Sequence, residues 1–175
     1  MPVVAVGGVV LSMAGCVRTP PHDPVDGAPV TRTERREQMS HDGDWCSWEA
    51  ESLYFGERAL WAVDTPDDDG GWCETPGESS RMVDVLGQDG PYLSVKLTEM
   101  GCCPDHDAVR CFTMDMRTGA AITLEEYDSR RAERRWEQAQ KSAVPGLDRG
   151  AFVVGDGHVR FCVVHGPDVA FVPVR

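Results

Sequence analysis

The sequence predicts an α+β domain: an antiparallel sheet of about five to seven strands with one long helix packed on it, braced by disulfides. Three observations lead there. Short apolar runs alternate with polar residues and are punctuated by Gly, Asp and Pro turns. One segment has a capped start and helical spacing. Seven cysteines are spread through 175 residues.

Aromatic and cysteine content rises near Asp44, where Trp45, Cys46, Trp48, Leu53, Tyr54 and Phe55 mark the expected start of the folded part. A first strand is expected at Ala59 to Val63, followed by an acidic loop from Asp64 to Gly71. Asp67, Asp68 and Asp69 are adjacent there, whereas calcium loops alternate their ligands so that the oxygens converge. The loop therefore reads as solvated. Met82 to Leu86 and Tyr92 to Leu97 then flank Gly87-Gln88-Asp89-Gly90-Pro91, which reads as a hairpin. In the second run Leu93, Val95 and Leu97 alternate with Ser94 and Lys96, the period of a strand with one buried face.

Ala108 to Met116 repeats that pattern, with Phe112, Met114 and Met116 on one side and Cys111 and Thr113 on the other. Thr123 followed by Glu126 has the spacing of a capping box, and the helix it opens is expected to run from Leu124 to about Ser142, before Pro145-Gly146. Leu124, Tyr127, Ala132, Trp136 and Ala139 form its apolar face. Arg130, Arg131, Arg134 and Arg135 are expected to point away, balanced by neighbouring carboxylates. Ala151 to Val154 and His158 to Val164 enclose Gly155-Asp156-Gly157, a tight reversal. Val169 to Val174 is the last strand, and Pro173 places it on a sheet edge.

The opening of the chain addresses location. An uncharged, mostly apolar run from Val3 to Met13 leads into Ala14-Gly15-Cys16, the pattern of a bacterial lipoprotein signal with Cys16 as the lipidated first residue of the mature protein. The organisation expected is a signal peptide over 1–15, a lipid-anchored flexible linker over 16–43 and a single α+β domain over 44–175. The linker is rich in Pro, Asp, Arg, Thr and Glu and has too few apolar residues to form a core. Acyl chains such as palmitate on Cys16 would hold the protein on a membrane facing the periplasm or the exterior.

Cys46, Cys73, Cys102, Cys103, Cys111 and Cys162 remain after Cys16, an even set in a compartment that favours oxidation, and all six are disulfide candidates. Their pairing is open at this level. The competing reading groups Cys102, Cys103, His106 and Cys111 as a metal or thiol site, against the spacing that zinc knuckles prefer. The net charge of -12 excludes a nucleic-acid ligand, which needs a concentrated basic surface. No Gly-x-Ser-x-Gly elbow, phosphate-cradling loop or two-histidine zinc helix occurs, so no catalytic residue, no metal and no cofactor is expected. Among aromatics, Trp45, Trp48 and Trp72 are the candidates for a binding patch.

Phe112-Thr113-Met114-Asp115-Met116-Arg117-Thr118-Gly119, then Ile122-Thr123-Leu124, resembles the strand, Lys/Arg-Thr-Gly turn and helix start of a family of exported bacterial domains. These occur in lysozyme-sensing anti-sigma factors and beside the catalytic domain of some peptidoglycan deacetylases. Phe152-Val153-Val154-Gly155-Asp156-Gly157-His158-Val159-Arg160-Phe161 is similar to that family's Asp-Gly hairpin. The resemblance covers about 92–174 and implies an α+β architecture and an extracytoplasmic setting. Gly101-Cys102-Cys103-Pro104-Asp105-His106 and His165-Gly166-Pro167 replace the family's usual loops, so no binding residue carries over. The expected function is that of a non-catalytic, anchored lipoprotein whose domain binds another envelope protein or glycan. The alternative is an envelope enzyme built around Cys102, Cys103, His106 and Cys111.

Overall fold

Strand pairing supplies most of the backbone order in the computed structural model, which describes residues 27–39, 42–62, 77–101, 108–166 and 168–174. The strands are β1 (Val30–Met39), β2 (Trp45–Phe55), β3 (Arg58–Trp61), β4 (Gly77–Asp89), β5 (Tyr92–Met100), β6 (Ala108–Asp115), β7 (Phe152–Gly155), β8 (His158–His165) and β9 (Asp168–Val174). The helices are α1 (Leu124–Asp128) and α2 (Ala132–Gln140). A six-stranded sheet has the order β1-β2-β4-β5-β6, with β3 paired to β2, and a three-stranded sheet has the order β7-β8-β9.

The chain is therefore mostly β, and the expected single antiparallel sheet is corrected to two sheets, the larger of them mixed. β2 and β4 run parallel, from Cys46 opposite Gly77 to Ala50 opposite Arg81. Parallel neighbours need a long connection and leave no local turn signal, so sequence alternation alone does not reveal them. Where this pairing ends, the Glu51 carboxylate accepts from the Val83 amide at 2.9 Å.

Val30–Met39, expected within the flexible linker, is instead a strand paired with β2 along its whole length. Its side chains are polar because it is an edge. Only Arg36 and Gln38 are half-buried, and Arg32 stacks over the Tyr54 ring with 4.2 Å from guanidinium carbon to ring centroid. Backbone pairing, not core burial, orders this segment, and its charges discourage another strand from adding to it.

The predicted long helix is two short ones. Thr123 and Glu126 form the expected capping box at α1, with the Thr123 amide donating to the Glu126 carboxylate at 2.7 Å. The helix breaks at 129–131, where the Arg131 amide bonds the Asp128 carbonyl at 3.1 Å. In one continuous helix Tyr127 would lie about half a turn, and Leu124 about a third of a turn, away from Trp136. The break brings all three onto a core with Ala132, Ala139, Phe152, Val154, Val159, Phe161 and Val174. It also turns Arg135 inward: that side chain is 6% exposed and lies 2.9 Å from Asp128, contrary to the expected solvated arginine face.

Leu93, Val95 and Leu97 face a second core with Leu53, Leu60, Val83, Met114 and Met116. Their neighbours Ser94 and Thr113 face the other side, and there the small sheet docks. The Cys162 amide donates to the Ala151 carbonyl at 2.7 Å, so alternation turns Phe152 and Val154 of β7 away from β8. Those outward groups meet hydroxyls. Thr113 Oγ1 donates to the Phe152 carbonyl at 2.8 Å, the Val154 amide donates to Ser94 Oγ at 2.7 Å, and the two hydroxyls lie 2.9 Å apart.

Gly87 lets β4 approach this seam. A Cβ at that position would stand 2.5 Å from the Val154 carbonyl oxygen and 3.3 Å from the Gly155 Cα. Cys111 of β6 and Cys162 of β8 are disulfide-bonded beside it, with Cα atoms 6.2 Å apart and a sequence separation of 51. Closing a loop of that length contributes about 4 kcal/mol by restricting the unfolded chain.

Gly87→Ala is expected to destabilise the fold by about 1–3 kcal/mol, because backbone atoms must move to admit the methyl; urea denaturation measures the loss. Ser94→Ala and Thr113→Val are each expected to cost about 1–3 kcal/mol by stranding a buried backbone group. Because the two hydroxyls share one network, the double variant is expected to lose less than the sum of the singles, a coupling that a double-mutant cycle reads directly.

Candidate binding surface

Side-chain alternation along β2 separates the tryptophans that the sequence grouped together. Trp48 is buried at 6% exposure, whereas Trp45, three residues earlier and thus on the opposite face, is 55% exposed. Met39 stands directly across from Trp45 in the β1–β2 ladder and is 60% exposed. Among the described residues the two form an exposed cross-strand pair of large apolar side chains. Trp72, the third candidate, lies outside the described residues.

The same face continues across the sheet. Ser80 is opposite both Glu49 and Met100, and Met82 follows two residues on, so Trp45, Glu49, Ser80, Met82 and Met100 all point to one side. Met82 and Met100 are exposed as well. Ser94, Thr113 and Cys111 belong to this side too, where the small sheet covers them. One end of the face is thus sealed and the other presents methionine and tryptophan. Around the open end Arg35 pairs with Glu37 at 2.8 Å, and Lys96 with Asp84 at 2.7 Å. Solvated pairs of this kind add little stability and leave a mixed polar rim. Such a surface offers contact area and orientation, not a nucleophile.

Stronger electrostatics gather at the turn after β6. Arg117 grips Asp115 with Nε 2.9 Å from Oδ1 and a terminal nitrogen 2.7 Å from Oδ2, while the Arg117 amide donates to Oδ1 at 2.8 Å. The Arg117 side-chain hydrogen bonds are the chief reason that the Asp115 carboxyl is held below the ordinary carboxylate range, against burial, which acts the other way. The same contacts push the exposed Arg117 guanidinium up. Arg58 donates to the carbonyls of Met116 and Arg117, fixing the turn from the β3 side. Tyr127 donates its hydroxyl to Asp89 and packs edge-on to Tyr92, with centroids 5.4 Å apart. Burial first, and then this bond, raises the Tyr127 phenol above its ordinary value.

Of the sequence-predicted site residues, Cys111 and Cys162 are joined to each other and Cys46 is disulfide-bonded. Cys16, Cys73, Cys102, Cys103 and His106 lie outside the described residues. Cys111 therefore has no free thiolate for the metal or thiol site considered from the sequence. Asp156 is a turn residue with φ +52, followed by Gly157 at φ +74, the positive angles that a tight hairpin requires. His158 and His165 are exposed. Among the described residues no group of three His, Cys, Asp or Glu side chains is placed to hold a metal, and no helix is long and apolar enough to cross a membrane. Sequence reasoning missed Met39 because a charged run precedes it. The spacing of Trp45 and Trp48 was a legible signal, since residues three apart on a strand cannot share a face.

The fold resembles that of solved bacterial proteins. A DUF3298 family protein from Pseudomonas aeruginosa PAO1 aligns with a TM-score of 0.54 at 11% identity, covering 87% of this chain and 91% of that one. A member of the same family from Bacteroides fragilis gives 0.41 at 10% identity, covering 84% of this chain and 91% of that one. No protein-family model and no curated protein matches the chain. At so low an identity the Pseudomonas likeness speaks for the fold alone.

The depressed Asp115 carboxyl sets an expected acid response. Its contribution to stability is complete above the unfolded value of about 3.9 and is lost as pH falls through the lower folded value. Asp115→Asn is therefore expected to lower stability at pH 7 but to flatten its decline below about pH 4, as read by thermal melts across pH.

Proposed function

We propose that this chain is a membrane-anchored bacterial envelope lipoprotein, lipidated at Cys16, whose domain binds another envelope protein or glycan without catalysing a reaction. The observation that carries the binding role is the exposed Met39–Trp45 pair, which continues into Met82 and Met100 on the open half of a sheet face. The fold spends no burial on these side chains, and large exposed apolar groups inside a polar rim are characteristic of surfaces that meet a partner. The Cys111–Cys162 disulfide agrees with an oxidising compartment. The apolar run before Cys16 supports the anchor.

Two measurements test the reading. Radioactive palmitate is expected to label the full chain in cells and to be lost in Cys16→Ser; label retained by that variant contradicts the anchor. For binding, the full chain is incubated with purified cell-wall glycan and, separately, with detergent-solubilised envelope proteins. The double variant Met39→Ser with Trp45→Ser is expected to retain the fold and to capture the bound component about tenfold less, the scale of losing an apolar hot spot. Capture equal to that of the unaltered chain removes this face from the function.

A further inference from the structure

The two edges of the small sheet are treated in opposite ways. On β7 the outward Phe152 carbonyl and Val154 amide are met by the buried hydroxyls of Thr113 and Ser94. Among the described residues nothing equivalent is seen on β9. β8 turns 158, 160 and 162 toward β7 and hence 159, 161, 163 and 165 toward β9. Their partners Val174, Val172, Ala170 and Asp168 point inward, so Val169, Phe171 and Pro173 face out. Proline at an outward position removes no ladder bond. Among the described residues no backbone partner is seen for the outward groups of Val169 and Phe171.

Composition sets this edge apart as well. β1, the outer strand of the large sheet, carries Arg32, Glu34, Arg35, Arg36 and Glu37, whereas Val169–Val174 carries no charge at all in a chain of net charge -12. Charge is the ordinary guard against strand addition, and from Val169 onward β9 lacks it, its one charge among the described residues being Asp168 at the start of the strand.

We propose that β9 is a homodimer edge, pairing antiparallel with β9 of a second copy about a two-fold axis at Ala170. In this register Val169 lies opposite Phe171 of the second copy. The N–H and C=O of both residues are then matched, four hydrogen bonds in all, by the geometry of an antiparallel ladder. Centring the axis on Phe171 instead sets Val169 against Pro173, which has no N–H to give to the Val169 carbonyl. The Ala170 register also sets Val169 against an aromatic, a favourable cross-strand pair, and brings the two exposed Ala170 methyls together without a clash. The self-complementary register, uncharged across the four hydrogen-bonded residues and with Asp168 set only against Val172 at its margin, is what selects a second copy of this chain over a different strand as the occupant. It joins two three-stranded sheets into one continuous six-stranded sheet.

Sedimentation equilibrium of the full chain in non-ionic detergent, over about 1 to 100 μM, reads the association constant. The unaltered chain is expected to dimerise reversibly. Ala170→Glu sets two carboxylates face to face at the axis and is expected to weaken the dimer about tenfold or more, with an unchanged melting temperature when both chains are melted at a concentration low enough to be monomeric, because Ala170 is exposed in the single chain. Ala170→Cys is expected to give a disulfide-linked dimer on mild oxidation, since residues opposite in a non-hydrogen-bonded pair have Cα atoms about 4.5 Å apart. An unaltered chain that stays monomeric throughout overturns the proposal, including one that binds an extended peptide at β9 instead. So does a folded Ala170→Glu chain that dimerises as before, or an Ala170→Cys chain that cross-links no more than the unaltered one.

Discussion

Two hydroxyls hold the structure together at its least forgiving point. β7 is only four residues long, and its outward backbone groups are turned toward the face of the large sheet, away from water. An unmet amide or carbonyl there costs as much as several apolar contacts supply. Ser94 and Thr113 remove that cost by acting as a surrogate strand. The consequence is geometric. With the Phe152 carbonyl and Val154 amide bound to side chains of β5 and β6, the position of the small sheet along the large one is set to within a hydrogen-bond length. Gly87 then becomes obligatory, because the Val154 carbonyl occupies the space a side chain would need. The Cys111–Cys162 bond adds a covalent limit to the same seam.

The helical layer follows from this docking. Phe152 and Val154 share one core with Tyr127 and Ala139, Tyr127 lying against the Phe152 ring and Trp136 against Phe161 of the neighbouring strand. A straight helix from Leu124 onward would carry Trp136 out of that layer, and the break after Asp128 corrects its direction. Arg135 enters the interior as a result, with Asp128 at 2.9 Å and the Tyr127 ring 5.9 Å from its guanidinium carbon. Burying a cation is tolerated because the carboxylate and the ring travel with it. The same docking decides which part of the large sheet stays open, and Trp45, Met39, Met82 and Met100 lie on the part it leaves.

Much of this was readable from residue order. The hairpins around Gly90-Pro91 and Asp156-Gly157, the capping box at Thr123, the strands from Met82 onward and the edge position of β9 all follow from local backbone preferences. Three features were not readable in that way. β1 has the composition of a solvated linker and becomes a strand only because β2 offers a complete ladder. The parallel β2–β4 pair joins segments with no turn between them. Arg135 is on a helix whose charge pattern looks solvated until the chain bends. Of the candidate surface, Trp45 was anticipated, while Met39 and the burial of Trp48 needed the ladder register.

The amino-acid sequence by itself determined the local alphabet: alternating strands, two-residue reversals, a capped helix start, an acidic surface and cysteines in an oxidisable set. These depend on neighbours within a few residues, whose steric and hydrogen-bonding preferences act before any tertiary contact exists. Tertiary structure alone decided the division into two sheets, the break in the helix, the Cys111–Cys162 partnership and the part of the sheet face on which Met39 and Trp45 are exposed. Each of these turns on groups more than twenty residues apart satisfying one another's hydrogen bonds and excluding water together, a condition that no local pattern encodes.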